Sequence, residues 1–169
     1  MTGRRRFRKF DDKKLEALRT VKLFAVLIVV FALLFSCVIG VSRVDGLSMF
    51  PTLKNEQTVV YNRLAKNYER GDIVSVRMPN GQYYIKRVIA VGGDEVDLQN
   101  GTLFLNGVPE QGAYVNGATE PQERTVSYPL TVPEGQVFVL GDNREISLDS
   151  RTFGPAALSQ VRGRIFTNK

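Results

Sequence analysis

The sequence predicts a mainly β domain preceded by one membrane-spanning helix, and three features of the 169-residue chain lead to this interpretation. Residues 23–41, "LFAVLIVVFALLFSCVIGV", form an uncharged apolar run that would span about 29 Å as a helix. After this run, apolar and polar residues alternate with a period close to two, as in half-buried strands. Turn signals rich in Gly, Asn and Pro separate the alternating runs.

The net charge of +6 lies entirely in the first 22 residues, which hold nine basic and three acidic side chains. The rest of the chain carries equal numbers of basic and acidic residues and is neutral. Affinity for nucleic acid comes largely from clustered Lys and Arg, so a neutral main domain argues against a nucleic-acid binder. No nucleic-acid partner is therefore expected.

The apolar run is interpreted as an uncleaved signal anchor. A buried core helix would carry a polar stripe, and a cleavable signal peptide has a shorter apolar core that ends at a small-x-small site. Because the basic residues precede the run, the positive-inside rule places the N-terminus in the cytoplasm. The predicted organisation is a cytoplasmic tail (1–22), a plasma-membrane span (23–41) and an extracytoplasmic domain (42–169). The lone Cys37 lies within the span and leaves the outer domain without a disulfide.

Six alternating runs are predicted to be strands: "TVVYNRL", "DIVSVRM", "YYIKRVIAV", "EVDL", "TLFLN" and "QVFVL". Residues 79–81 and 100–101 carry hairpin chemistry and should join their flanking runs as antiparallel pairs. In the run 83–91, alternation places Tyr84, Lys86, Val88 and Ala90 on one face and Tyr83, Ile85, Arg87, Ile89 and Val91 on the other. The stretch 111–126 is expected to be irregular.

The segment "VDGLSMFPTL" places Ser48 between a flexible Gly46 and a stiff Pro51. The usual base for a serine nucleophile is histidine, yet the chain contains none. A carboxylate, a lysine or another metal-free group held close to Ser48 would have to take its place. Lys86 is the candidate lysine, because burial among apolar neighbours lowers the pKa of an ammonium group and yields a neutral amine. An edge strand whose Lys86 reaches into water is the alternative interpretation.

The segment "GDNREISLDSRTFG", residues 141–154, is dense in side chains that form hydrogen bonds. By itself it fits a solvated loop of turn and capping residues.

These segments, in this order after an N-terminal anchor, resemble the bacterial type I signal peptidases, specifically their shorter Gram-positive type. The segment "GLSMFPTL" is similar to the nucleophile box of that family and "YYIKRVIAVGGDEV" to its lysine box. The segment "GDNREISLDSRTFG" is similar to the C-terminal box, and "GDIVSVRMP" fits the strand between the first two. The resemblance implies coiled antiparallel sheets, in agreement with the period of two.

Carried over by position, the resemblance implies that Ser48 attacks the scissile carbonyl while Lys86 takes its proton. Ser147 matches the serine that forms a hydrogen bond to the lysine and orients it. Positions expected to shape or support the site are Met49, Pro51, Arg87, Asp142, Asn143, Asp149, Ser150 and Arg151. No metal or cofactor is expected.

The oxyanion is expected to be held at residues 46–48, chiefly by the Ser48 amide. Some relatives have a serine hydroxyl at the position of Gly46, so a donor is missing here. Alternatively, Gly46 holds a positive φ that only glycine adopts easily. Met49 and Phe50 either touch lipid or pack in the core.

The resemblance further implies that the substrates are secretory preproteins with small residues at −1 and −3, cleaved at the surface of the lipid bilayer. Three alternatives stay open at this stage. A cytoplasmic self-cleaving repressor shares the serine–lysine chemistry, and a processing enzyme dedicated to one substrate shares nearly every motif. A non-catalytic membrane-anchored binding module is the alternative in a different class.

Overall fold

The computed structural model describes residues 3–78, 81–122 and 126–167. The chain divides into two compact units, Met1–Val38 and Ile39–Lys169. Pro79 and Asn80 of the first predicted hairpin lie outside the described residues.

The first unit is one helix, α1 (Gly3–Val38). Its segment Lys14–Val38 is long and apolar enough to cross a membrane, and none of that segment is buried. The interpretation as a buried core helix therefore fails, because a core helix would have its apolar side chains covered. The helix ends three residues before the end of the predicted span, and Ile39, Gly40 and Val41 form the start of a strand instead.

The second unit is built almost entirely from antiparallel strands. Its larger sheet contains β1 (Ile39–Arg43), β2 (Thr58–Asn62), β3 (Ile73–Arg77), β4 (Tyr83–Val91), β9 (Gln136–Leu140), β10 (Ala156–Ala157) and β11 (Val161–Ile165). Over the described residues the strand order is β1-β2-β11-β3-β4-β9-β10. The smaller sheet has the order β7-β6-β5-β8 and contains β5 (Glu95–Gln99), β6 (Thr102–Leu105), β7 (Val108–Pro109) and β8 (Leu130–Thr131). A short helix, α2 (Ser150–Phe153), and a 3-10 helix, Leu158–Gln160, complete the unit.

The mainly β fold with one N-terminal apolar helix confirms the fold class, and each of the six predicted runs contains a strand. Asn100 and Gly101 both have positive φ, 49° and 75°, and join β5 to β6 as the hairpin chemistry requires. The stretch 111–126 is irregular where it is described, apart from an isolated bridge between Asn116 and Asn143.

The predicted faces of β4 are wrong beyond Val88. The register between β4 and β9 shifts between Val88 and Ala90, so a bulge interrupts the alternation. Ala90 consequently packs in the same apolar cluster as Ile89, and Val91 packs against the cluster of Val88. The strict period of two could not reveal this because the bulge depends on the pairing with β9.

Three apolar clusters hold the second unit together. One lies on one face of β3, β4 and β9, and a second joins β4 and β9 to the smaller sheet. The third includes Val44, Met49, Leu53 and Tyr61 and packs the segment after β1 against β2 and β3. This third cluster fixes the loop that carries Ser48.

Candidate active site

Ser48 lies in a tight turn that follows β1. Leu47 accepts a hydrogen bond from the Phe50 amide at 3.0 Å, and Met49 accepts one from the Leu53 amide at 2.8 Å. The Met49 side chain is 1% exposed and packs in the third cluster, whereas Phe50 is 44% exposed. Of the two residues considered for lipid contact, Met49 is therefore a core residue. Pro51, which follows a cis peptide bond, closes the turn.

Lys86 lies in the middle of β4 and reaches Ser48. Its Nζ is 2.8 Å from Ser48 Oγ, and the whole lysine is only 3% exposed. The alternative in which this side chain extends into water is therefore wrong. Strand β4 sets the orientation of the Lys86 side chain, because a side chain in the middle of a paired strand stands perpendicular to the sheet. The structure thus brings together the two residues that the sequence analysis predicts to be nucleophile and base.

Burial lowers the pKa of Lys86 to about 8. Smaller contributions come from Asp149, which raises the pKa, from Arg151, which lowers it further, and from Asp142, which raises it. The aromatic face of Tyr84 lies 5.5 Å from the ammonium. A lysine with this pKa has a substantial neutral fraction near physiological pH and can accept a proton.

The C-terminal segment holds Ser48 through its backbone. The Asn143 amide donates a hydrogen bond to the Ser48 carbonyl at 3.0 Å. A side chain at Gly141 would collide with the Ser48 carbonyl and with Ser147, so glycine is required by close approach rather than by its dihedral angles. Residues 141–143 are therefore in direct contact with the turn that carries Ser48, residues 47–53, which we call the nucleophile turn.

Within the described ranges, three buried arginine–carboxylate pairs lie around the site. Arg87 binds Asp142 with two parallel hydrogen bonds of 2.8 and 2.7 Å, and Thr52 donates a further hydrogen bond to that carboxylate. Arg151 binds Asp149, whose carboxylate also accepts from the Gly141 amide at 3.0 Å. These contacts support the structural roles expected for these four charged residues. Most polar side chains of residues 141–154 are buried rather than solvated, which excludes the plain-loop interpretation.

The third pair was not predicted. Arg144 is fully buried and donates hydrogen bonds to Glu110 at 2.6 and 2.8 Å and to Thr119 at 2.6 Å. Glu110 and Thr119 lie in or beside the irregular stretch, where no local pattern distinguishes a buried acid from a solvated one. Only the density of polar groups around Arg144 hinted that a partner was needed.

Ser147 does not form the predicted hydrogen bond with Lys86. The side chain is 1% exposed, and its Oγ has no hydrogen-bond partner among the described residues. The hydroxyl lies against Gly141 instead. Ser150 is also buried and accepts a hydrogen bond from the Val139 amide at 2.9 Å, which fits a structural role.

The backbone around Gly46 favours the conformational interpretation of that glycine. Gly46 has a φ of 91°, and a side chain there would meet nothing within 4 Å. Its amide donates to Asn55 Oδ1 at 2.8 Å, so this N–H group already has an acceptor. The Ser48 amide, in contrast, donates to no acceptor within the described part of the chain. Of the two expected oxyanion donors, only the Ser48 amide is unoccupied.

Ser48 and Lys86 open into a cleft of about 280 Å³. Its walls come from the segment 42–49, from the start of β4 and from two exposed apolar residues of the C-terminal segment, Ile146 and Leu148. Across the part of the chain that the structure describes, no group of three or more His, Cys, Asp or Glu side chains could hold a metal ion.

The chain matches the family model described as "Signal peptidase, peptidase S26" over residues 17–168. It is 32% identical to signal peptidase IB of Staphylococcus aureus, with 90% of this chain and 88% of that protein aligned. It is 34% identical to signal peptidase I S of Bacillus subtilis, with the same coverage of the two chains. A crystal structure of a signal peptidase I from Enterococcus faecalis is 35% identical and covers 59% of this chain and 97% of that one, with a TM-score of 0.49. The chain belongs to the signal peptidase family, peptidase S26, in its Gram-positive type I branch.

Proposed function

We propose that this signal peptidase cleaves its substrates with a dyad in which Ser48 is the nucleophile and Lys86 is the general base. The observation that carries the proposal is the 2.8 Å contact between Ser48 Oγ and the Nζ of a buried lysine. Burial favours the neutral amine, and only a neutral amine can take the hydroxyl proton.

The reaction proceeds in two halves. Neutral Lys86 accepts the Ser48 proton as Oγ attacks the scissile carbonyl carbon, and the Ser48 amide donates to the developing oxyanion. The lysine ammonium then protonates the leaving amine as the carbon–nitrogen bond breaks. In the second half, Lys86 takes a proton from the water that attacks the acyl-enzyme carbonyl, and its ammonium returns the proton to Ser48 Oγ as the ester bond breaks.

The surrounding residues position the dyad and transfer no protons. Asn143 fixes the carbonyl of Ser48, while the Arg87–Asp142 pair joins the lysine strand to the C-terminal segment. Ser147 is proposed to orient Lys86 when substrate fills the cleft, because its buried hydroxyl has no described partner that would compete. Ser147→Ala should then lower kcat without lowering the melting temperature.

The substrates are proposed to be preproteins with small residues at −1 and −3 from the cleavage site. The apolar residues in the lining of the cleft next to Ser48, among them Val44, Leu47 and Ile85, support small apolar side chains at these subsites.

The proposed topology has the tail 1–22 in the cytoplasm and the domain 42–169 outside. It is supported by the nine basic residues before the apolar run 23–41 and by the neutral domain after it. Cleavage then takes place at the outer surface of the lipid bilayer.

The decisive experiment incubates the purified full chain with a labelled preprotein in detergent. The wild type and Ser159→Ala, which removes an exposed hydroxyl far along the chain, should both release the mature protein. Ser48→Ala should show no release above background. Cleavage by Ser48→Ala would refute the dyad. Absence of cleavage by the wild type would favour the non-catalytic binding module.

A further inference from the structure

Two arginines and two tyrosines form a stacked group on the larger sheet, the arginine–tyrosine cluster, which consists of Tyr61, Arg63, Tyr83 and Arg162. The Arg162 guanidinium lies 4.5 Å from the ring centroid of Tyr83 and 5.4 Å from that of Tyr61. The Arg63 guanidinium lies 5.6 Å from the same Tyr61 ring. Two like charges are thus held beside one aromatic ring.

Neither arginine of the cluster has an acidic partner among the described residues. The ion pairs within these ranges involve other arginines: Arg43, Arg70, Arg87, Arg144, Arg151 and Arg164. The Nε atom of Arg63 is buried without a hydrogen-bond partner, and Arg162 is exposed. The charges of the chain after residue 22 cancel overall, and the cluster is a local excess of positive charge with unused hydrogen-bond donors.

The strand register places the cluster at the end of the sheet where the chain enters the domain. Ile39, the residue after the apolar helix, pairs with Asn62, and Arg63 lies one residue further toward that chain entry. Arg164 also pairs with Asn62, so Arg162, two residues earlier in an antiparallel strand, lies toward the same end. This placement follows from covalent connection and strand pairing alone.

The ring at the centre of the cluster is held in place. Tyr61 is fully buried, and side chains at Gly40 and Gly163 on the two neighbouring strands would collide with it. The ring therefore lies across two glycines and has little freedom to move. A rigid ring pre-orients the two guanidinium groups that stack on it, which lowers the entropic cost of binding an anion.

We propose that the arginine–tyrosine cluster binds the phosphate groups of anionic lipids at the membrane surface. A guanidinium presents paired donors that match phosphate oxygens, and tyrosine and arginine are favoured at the headgroup level. Attraction of one arginine to an anionic bilayer corresponds to about a five-fold gain in surface occupancy. The occupant is a lipid headgroup because the cluster lies at the chain entry from the membrane-spanning helix.

The binding is coupled to catalysis through Tyr83. This residue stacks under Arg162 and also lines the cleft that holds Ser48 and Lys86. A lipid phosphate on Arg162 fixes the position of Tyr83, and with it one wall of the substrate cleft. Anionic lipid should therefore raise kcat/KM for a preprotein without altering the dyad itself.

The test uses the full chain in vesicles of phosphatidylcholine, alone or mixed with phosphatidylglycerol. For the wild type and for Lys54→Gln, an exposed charge outside the cluster, phosphatidylglycerol should raise kcat/KM, and high salt should remove the gain. The double variant Arg63→Gln/Arg162→Gln should keep the activity measured in phosphatidylcholine and lose most of the gain. The single variant Arg162→Gln should lose part of it. An undiminished gain in the double variant would overturn the proposal.

A second readout is independent of catalysis. In a Cys37→Ser background, a fluorophore on a cysteine introduced at exposed Asn67, near the cluster in sequence, reports contact with nitroxide-labelled headgroups. Quenching should increase with phosphatidylglycerol in the otherwise wild-type protein and not in the double variant. If quenching is independent of the phosphatidylglycerol content but changes with the amount of protein per vesicle, a second copy covers the cluster. This result would overturn the proposal. Because quenching needs no turnover, it separates failure here from failure of the dyad.

Discussion

Among the residues that the structure describes, four cations are buried near the candidate active site, and one of them differs from the other three in its partner. Arg87, Arg144 and Arg151 each bind a carboxylate through two hydrogen bonds. Lys86 is as deeply buried as these arginines, but its close contact is the neutral hydroxyl of Ser48.

The difference distinguishes buried cations that link parts of the fold from a buried cation that is proposed to transfer protons. A buried arginine with a carboxylate partner stays charged and links segments that are far apart in sequence. A buried lysine without a contacting carboxylate loses part of its preference for the charged form, so the same burial favours the neutral amine that the proposed mechanism needs. Carboxylates of Asp149 and Asp142 still act on Lys86 from a distance and keep its pKa from falling further.

Substitution of Lys86, the buried cation without a carboxylate in contact, should have the largest effect on activity. Lys86→Met should remove the base and lower kcat/KM by at least about 10²–10⁴-fold, while stability stays equal or rises because an unpaired buried ammonium is gone. Lys86→Arg should be equally inactive, since a guanidinium does not deprotonate. Preprotein cleavage and thermal melting are the measurements, with Lys54→Met as the exposed-lysine control. Activity in Lys86→Met would exclude lysine as the base.

Removing the partner of a paired cation should have the opposite outcome. Asp142→Ala leaves Arg87 buried without its carboxylate and should lower the free energy of unfolding by about 3–5 kcal/mol. Glu56→Gln, which breaks the exposed pair with Arg43, should change it by less than about 1 kcal/mol. Chemical denaturation of both variants measures the contrast. Equal losses of stability in the two variants would mean that burial does not make the Arg87–Asp142 pair more important than the exposed Arg43–Glu56 pair.

The nucleophile turn relies on backbone conformation rather than on charge pairs, and Gly46 tests this smaller effect. Gly46 has a φ of 91°, so Gly46→Ala and Gly46→Ser should each lower the free energy of unfolding by about 1–2 kcal/mol. The two variants should also lower kcat/KM by similar factors. Gly46→Asn should lose less, because asparagine tolerates positive φ. A gain in kcat confined to Gly46→Ser would restore the interpretation in which a hydroxyl donor is missing.

The sequence predicted most of what depends on local pattern. Alternation located β2 to β6 and β9, and Asn100–Gly101 located a hairpin. The two segments that resemble the nucleophile and lysine boxes of the family contain Ser48 and Lys86, which the structure brings into contact. Each of these signals lies within a few neighbouring residues.

The features that were missed depend on partners far along the chain. β8 and β10 have two residues each, too few for a period, and β11 is interrupted by Gly163 and a bulge. The Glu110–Arg144 pair spans 34 positions, and no property of either residue alone selects the other. The unpaired hydroxyl of Ser147 was missed for the same reason, since hydrogen-bond satisfaction is known only after folding.

The central claim is that Lys86 is a neutral base, and the pH dependence of kcat/KM tests it most directly. Because the pKa of Lys86 is lowered to about 8, cleavage by the full chain should rise with pH and level off above that value. The measurement needs one preprotein, a buffer series of constant ionic strength and circular dichroism at each pH to confirm folding. An acidic limb near pH 8 supports the account. A limb near about 4.3, the pKa of an ordinary glutamate, would assign the proton transfer to a carboxylate and contradict it.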